Sequence, residues 1–574
     1  MKSTLREGCE RPVLRPFNLS SNKSYKSAKR LFVMAHPEWR ASKPVDLLRK
    51  REYARLNDAG TYLDYTGASL YPKSLVENHA RLMKRAVFGN PHSASPSSEM
   101  SSRLASEARL AVLSFFDADP NEYTVIFTSN ASNALRIVGE SYPYFPDHSH
   151  LILPLDAHNS VNGLREYAFA GGAHVSYTPL FGDIAQTLAA LPRLTSPNPG
   201  LFALTGQSNV SGYKYDLEIL NLVKKLYGFD TLLDAAALAP TTRISLRSLG
   251  NSVDAMAISL YKMIGYPTGV GALVARSTFL TKLKKRWFSG GSVRIVQVPG
   301  IGRLLHDHHE RWEDGTINFL SLSAVKPALD LLNSYSVYLP SRLALLMHFT
   351  LSYLDSLRHT NGKPIVRIHS PTPAIKAKSI SGSPNSYSPQ THGAMVSFSL
   401  LNSTGDRVPP HRVEREAGKA GIHIRSGCMC NPGASAELLG VTNEVANFKL
   451  EESQSTLNNE RDSPHTTIRA YSDPINENLE RFIEEEGILR ISFGLASTLK
   501  DAWMFIQFVK KYTKERESGA YHEDATVLAS GSTACCDLTQ DKYWNRGDPC
   551  CNASHMYGRS WNVSEYPTGE LAPV

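Results

Sequence analysis

The chain has 574 residues, 42% of them hydrophobic and 20% charged, with a formal charge of +8; that length buries roughly three-quarters of an unfolded surface without a disulfide or metal staple. The charge is local: residues 1–45 hold ten Lys/Arg against three Glu, so +7 sits in a leader and the other 529 residues carry +1. A nucleic-acid binder is thereby disfavoured, since its folded domain needs a basic face, and no apolar run reaches the roughly 18 residues of a membrane helix. The leader lacks a signal-peptide hydrophobic block, and Glu7, Glu10 and Glu38 argue against a mitochondrial presequence. It reads as an unordered or loosely packed N-terminal extension.

After the leader, short apolar runs alternate with helical spacing. Helices are expected over Ser74 to Phe88 and Asp216 to Tyr227, and strands at Thr124–Phe127, Leu151–Leu155, Leu201–Leu204, Thr231–Leu233, Ala255–Leu260 and Val270–Val274. Runs without polar alternation suit strands covered on both faces, so the expected fold is α/β with a mostly parallel central sheet. From about residue 320 the pattern changes. A helix from Leu320 to Leu332 opens it, and a last helix begins at Thr498, where Thr-x-x-Asp501 supplies a capping signal. The expected organisation is a basic extension (1–45), a large domain (46–319), a smaller α+β domain (320–514) with polar insertions at 370–391 and 443–478, and a poorly ordered tail (515–574).

Seven cysteines sit at the edges of the chain, at 9, 428, 430, 535, 536, 550 and 551. None lies in the body between, so no disulfide framework spans it and a reducing, cytoplasmic setting is expected. Zinc at Cys428 and Cys430 is a poor reading because no second close Cys/His pair completes four ligands.

The chemistry starts at Lys262, delivered by the strand at Ala255 and followed by Gly- and Pro-containing turns. A single lysine in a loop is usually solvated, but this one is bracketed by apolar residues, and desolvation lowers an ammonium's pKa toward Schiff-base chemistry. Asp234 ends the preceding strand; alone it would serve equally as a helix cap. Phe127-Thr-Ser-Asn-Ala-Ser132 places small and hydroxyl residues between strand and helix, as an ordinary N-cap or as a phosphate cradle. An acid for a pyridine nitrogen, a lysine for an aldehyde and a phosphate cradle together are what pyridoxal phosphate needs.

Seven segments add to these: Tyr62-Leu-Asp-Tyr-Thr-Gly-Ala, Gly89-Asn-Pro-His-Ser, Gln207-Ser-Asn-Val-Ser-Gly, Ser259-Leu-Tyr-Lys262, Glu313-Asp-Gly-Thr-Ile-Asn-Phe, Arg425-Ser-Gly-Cys-Met-Cys430-Asn-Pro-Gly-Ala and Arg490-Ile-Ser-Phe-Gly. In this order they resemble the pyridoxal-phosphate enzymes of the class V aminotransferase family, and within it the molybdenum cofactor sulfurases, from about Tyr62 to Tyr512. Tyr261 separates this group from ordinary cysteine desulfurases, which usually carry histidine there. The resemblance implies a fold-type I transferase that binds pyridoxal phosphate as a homodimer. Lys262 would form the Schiff base and shuttle protons, His158 would stack on the ring, and Asp234 would pair with its nitrogen. Ala131, Ser132, Ser259 and, from a neighbouring subunit, Thr316 would hold the phosphate, with Tyr261 beside the cofactor. Asn209, Arg425 and Arg490 would position an amino-acid carboxylate. Cys430 would take sulfur from L-cysteine as a persulfide, releasing alanine, with Cys428 as the alternative carrier or a resolving thiol.

Two departures stand out: Asn130 where the family's phosphate turn usually has glycine, and Ser435 where many sulfurases have a third cysteine. Sulfurases generally continue into a C-terminal domain that this chain is expected to lack, which leaves the sulfur acceptor open, molybdenum cofactor among the candidates. The alternative functions are a lyase or aminotransferase of a specialised pathway acting on another amino acid, and a catalytically silent partner protein. Neither a metal, a membrane nor a nucleic acid is expected.

Overall fold

A computed structural model describes residues 24–182, 184–192, 194, 199–370, 387–441 and 487–514. The first 23 residues, most of the two insertions and the tail from 515 lie outside the described residues.

The extension expected to be loosely packed is, from residue 24 onward, helical and docked. Ser24 caps a helix over Tyr25–Ala35, a tight turn covers Pro37–Ser42 and a second helix runs over Lys43–Glu52. Apolar spacing inside the basic stretch explains the difference: Ala28, Phe32, Trp39, Val45 and Leu48 are buried, and Phe32 packs edge-on against Trp39 and Phe349 at centroid distances of 5.3 and 5.5 Å. Fully buried Arg342 donates to Asp46 Oδ1 (2.6 Å), Ser42 Oγ (3.0 Å) and the Ser497 carbonyl (2.9 Å). Lys26, Lys29, Arg30, Arg40 and Lys43 are exposed, so the charge of this stretch and its packing are compatible.

Strand β1 (Thr61–Tyr62) leads toward the central sheet. That sheet is built from β2 (Tyr123–Thr128), β3 (His150–Pro154), β4 (His174–Thr178), β5 (Gly200–Thr205), β6 (Asp230–Asp234), β7 (Ala255–Ser259) and β8 (Gly271–Arg276), in the order β2-β8-β7-β6-β5-β3-β4. β8 runs antiparallel to both its neighbours; the other pairings are parallel. β2 therefore points the same way as β7, and the C-terminal ends of β2, β3, β5, β6 and β7 share one edge. In open α/β sheets the crevice outside that edge is where ligands bind. Every residue of β5 to β8 is buried, as continuous apolar runs require. Six of the seven strands coincide with the expected runs. β4, the sheet's edge, was not expected: it is largely half-buried or exposed and shows no apolar run.

The hairpin β9 (Val293–Val296) and β10 (Arg303–Leu305) follows. A second, antiparallel sheet places β12 (Met395–Leu400) between β11 (Val366–Ser370) and β14 (Leu489–Ser492), while β13 (Ile422–His423) pairs with β1 in parallel. The helix Leu499–Val509 covers this sheet, with Phe505 on Phe398 at 5.6 Å. Its capping box is present: the Thr498 hydroxyl accepts from the Asp501 amide and Asp501 Oδ2 accepts the Thr498 amide at 2.7 Å. The helix expected over 320–332 is two, Phe319–Leu322 and Val325–Ser336, where the Ser323 hydroxyl bonds back to the Leu320 carbonyl at 2.7 Å. No described helix is long and apolar enough to cross a membrane.

Candidate active site

Residue 262 stands just past β7, on the short helix Leu260–Ile264 whose Leu260, Met263 and Ile264 are buried. The Ser69 hydroxyl donates to its carbonyl at 2.7 Å and fixes this turn. Lys262 so emerges through an apolar wall, half-buried, and its ammonium forms no hydrogen bond or ion pair among the described residues. Burial pushes its pKa down; Asp234 opposes that, and Arg490 adds to it. Asp234 closes β6, 8% exposed, and one oxygen accepts the Ala236 amide at 3.0 Å. His158, past the end of β3, uses Nδ1 to accept the Ser160 amide (3.1 Å) and is held toward its neutral form by burial and by the charge of Lys262, against the pull of Asp234. Lysine, carboxylate and imidazole are thus within electrostatic reach of one another. Tyr261, half-buried beside them, has its phenol pKa raised by burial.

The strand-to-helix turn after β2 adjoins this group. Asn130 caps the helix Ala131–Ser141 by accepting the Asn133 amide at 3.1 Å. Its φ of −173° is extended backbone open to any residue, which is why asparagine replaces glycine here without strain. The Ala131 amide donates to Ser259 Oγ at 2.9 Å, and Ser132 Oγ lies 2.6 Å from Ser160 Oγ, tying the helix start to the loop of His158. Among the described residues the Ser132 amide has no protein acceptor, a donor free for an anion at a helix N-terminus. Gly271 packs against this turn so closely that a Cβ would lie 2.4 Å from the Asn130 carbonyl carbon. A cavity of about 440 Å³ opens alongside, lined by Thr128, Ser129, Asn133 and Thr316. The Thr316 hydroxyl is exposed and accepts from Asn90 at 3.3 Å.

Opposite lies a cationic wall. Arg425 and Arg490 face each other across a backbone bridge, with amide-to-carbonyl distances of 3.2 and 2.8 Å. Both point at Asp64: Arg425 Nε and Nη2 donate to Oδ2 (3.0 and 2.7 Å) and Arg490 Nη2 donates to Oδ1 (2.6 Å). Arg490 also donates to the Asn209 carbonyl at 2.6 Å, while its buried Nε meets no acceptor. Burial lowers its pKa and Asp64 opposes the shift. Next in the chain, Cys428 is half-buried and Cys430 exposed, both free thiols. Cys430 is close enough to exert a pull on the Lys262 charge. Among the described residues no group of three or more His, Cys, Asp or Glu is placed to hold a metal ion.

A pocket whose amine, carboxylate and imidazole sit at a parallel sheet's C-terminal edge has relatives. Residues 61–503 match the family model described as Aminotransferase class-V. The chain belongs to the class-V aminotransferase family. Within that family, it is 32% identical over 487 residues to the molybdenum cofactor sulfurase of Bos taurus, which covers 80% of this chain and 51% of the relative. With the Arabidopsis thaliana protein of the same name the identity is 33%, covering 81% and 58%. The chain spans about half the length of these curated relatives. Among solved structures, the apo cysteine desulfurase of Thermococcus onnurineus NA1 superimposes with a TM-score of 0.62 at 20% identity, covering 82% of this chain and 98% of that one. The Escherichia coli cysteine desulfurase CsdA gives 0.61 at 20%, with the same coverage. At that identity the likeness is one of fold.

For this class-V family member, sequence reasoning gathered most of the pocket but missed three residues. Asp64 was read only as part of a motif, with no sign that it joins two arginines more than 360 positions away. Asn431 holds a helix start, which the Asn-Pro pair ahead of Gly-Ala does signal. Asp156, fully buried two residues before His158, was not singled out; Tyr215 donates to it at 2.9 Å, and burial pushes its pKa up to about 7.

Proposed function

We propose that the protein is a pyridoxal-phosphate-dependent cysteine desulfurase that moves sulfur from L-cysteine onto Cys430 and releases alanine. The observation that carries this reading is an exposed thiol within electrostatic reach of a lysine whose charge is destabilised by burial, in a class-V fold. The residues fit the cofactor. A buried carboxylate and a lysine ammonium, neither salt-bridged to a protein group among the described residues, stand on one side, and an unpaired helix-start amide stands on the other. Asp234 would take the ring nitrogen and His158 a ring face. Ala131, Ser132 and the Ser259 hydroxyl would take the phosphate, with Tyr261 beside them. Pyridoxal phosphate, when bound, supplies an electron sink that acidifies the α-proton of an attached amino acid.

Lys262 Nζ would hold the aldehyde carbon and, once displaced by substrate, carry the α-proton. Its lowered pKa favours the free amine that both tasks need. Arg425 and Arg490, with Asn209, would orient the substrate carboxylate. Overall, the C–S bond of cysteine breaks, an S–S bond forms on Cys430 Sγ, and the carbon left behind takes the proton of the thiol. Cysteine and protein thiol become alanine and persulfide, with no further oxidant or reductant.

The name of the relatives is what supports molybdenum cofactor as the onward sulfur acceptor. A homodimer is supported by the β9–β10 region, which exposes Trp287, Ile295, Val298, Ile301 and Leu304 beside the Thr316 cavity. The reducing cytoplasm is the compartment in which its free thiols would persist.

The test is incubation of cofactor-loaded protein with L-cysteine, scoring free alanine and a persulfide on residue 430 by mass spectrometry. Both are expected, and both are expected to vanish in Cys430→Ala. A loaded parent yielding neither product would refute the assignment; alanine release surviving in Cys430→Ala would move the persulfide to Cys428, and pyruvate with ammonia in place of alanine would point to a lyase.

A further inference from the structure

We infer that Asn431 is a positioning residue that locks Cys430 into its presenting conformation, with Asn209 as its partner; the inference rests on the sulfur transfer proposed for Cys430. Met429 and Cys430 both occupy the left-handed region, at φ 56° and 55°. Residues other than glycine rarely hold that conformation, because their Cβ crowds the backbone there. Two such residues in succession persist only where the surroundings over-determine them.

Here the surroundings are a relay of buried amides. Asn431 is fully buried. Its Nδ2 donates to the Asp156 carbonyl (2.7 Å) and to Asn209 Oδ1 (3.0 Å), while its Oδ1 accepts the Ala434 amide (3.2 Å). Asn209 passes the relay on, its Nδ2 donating to the Met429 carbonyl at 2.7 Å and its own carbonyl accepting from Arg490 at 2.6 Å. The Cys430 carbonyl accepts the Asn159 amide at 2.7 Å. Each left-handed residue thus has its carbonyl pinned, Met429 by Asn209 and Cys430 by the backbone just after His158.

The consequence is a shared frame. The thiol is referenced through Asn159 and Asp156 to the loop that carries His158, and through Asn209 to Arg490. A sulfur nucleophile built into that frame is aimed before substrate arrives. Losing the frame leaves the thiol chemically intact but displaced, and a misplacement near 1 Å costs on the order of 10²-fold in rate.

The experiment uses the cofactor-loaded protein and cysteine. Asn431→Ala is expected to lower kcat for alanine release and for persulfide on Cys430 by on the order of 10²-fold, with KM for cysteine and the cofactor absorbance unchanged. Asn431→Ser keeps a hydroxyl that can accept the Ala434 amide as a helix cap but is too short to make both donated bonds. It is expected to recover thermal stability relative to Asn431→Ala without restoring kcat, a split that a merely structural cap would not give. Asn209→Ala placed on top of Asn431→Ala should add less than it costs alone, as for two members of one network. Independently of turnover, amide exchange in the peptide spanning 427–433 should accelerate at least about tenfold in cofactor-free Asn431→Ala. Parent-like kcat in Asn431→Ala, or parent-like exchange, overturns the lock. A parent that releases no alanine sinks the sulfur-transfer reading instead, and the exchange rates still decide whether the lock exists.

Discussion

Replacing Asp64 by asparagine removes the one counter-charge shared by the two arginines of the cationic wall while leaving the shape of the side chain nearly intact. Arg490 is 2% exposed, and burial already disfavours its charge. Without the carboxylate its guanidinium stays buried beside a second one, uncompensated in charge, with the Asn209 carbonyl and at most one amide oxygen to receive it. Breaking a buried pair in this way costs about 3–5 kcal/mol. The Arg425 arm is different: its side chain is 47% exposed, so water replaces the lost partner, and an exposed pair contributes under about 1 kcal/mol. Asp64→Asn should therefore destabilise by about 4 kcal/mol, nearly all of it from the Arg490 side, whereas Arg425→Gln should cost less than about 1 kcal/mol. Urea unfolding of the cofactor-free protein, followed by far-UV circular dichroism, measures both. The reasoning fails if Asp64→Asn costs under about 1 kcal/mol, or if Arg425→Gln costs as much as Asp64→Asn.

Two further outcomes are expected. Asp156, held at a pKa of about 7 by burial, keeps in the folded state a proton that the unfolded chain releases near its ordinary value of 3.8. Its contribution to stability is therefore complete below that value and is lost as pH rises toward 7, at about 1.4 kcal/mol per pH unit. Asp156→Asn lacks this titration, so denaturation midpoints should shift in the variant's favour between pH 5 and 7 by the equivalent of about 2–3 kcal/mol, and a pH-independent gap contradicts the argument. At the other end of the pocket, a methyl at Gly271 would push into the Asn130 backbone. Gly271→Ala should weaken pyridoxal phosphate binding at least about tenfold, as a displaced anion-holding turn would; equilibrium titration of the cofactor absorbance checks this, and unchanged affinity would show that the turn does not hold the phosphate.

The legible part of the fold was what burial writes into local sequence. β5 to β8 lie between covering layers, so their runs are apolar throughout and their ends fall within a residue or two of the expected positions. β4, half-solvated at the edge, leaves no such trace. The docked helix at Tyr25–Ala35 was hidden by its own lysines, because net charge says nothing about the face that Ala28 and Phe32 turn inward. In the pocket, Lys262 and Asp234 announce themselves at strand ends, whereas His158 came from the family resemblance alone. Asp64 does not: its role depends on two arginines brought to it by strands from the far end of the chain. The left-handed pair at Met429 and Cys430 was equally unreadable, since neither residue type favours that conformation and only the buried amides explain it.

The docking of the first helices onto the last one has a consequence for how the molecule is made. Arg49 donates to the Ala496 carbonyl and to Asp501, partners 447 and 452 positions later, and β1 waits for β13. At about 5–20 residues per second, a ribosome needs roughly 20 to 90 s to deliver those partners. For much of that interval the apolar stripe of Phe32, Trp39 and Leu48 lacks its later partners, Phe349 for Phe32 among them, and the first helices reach their final place only after residues near 500 are made.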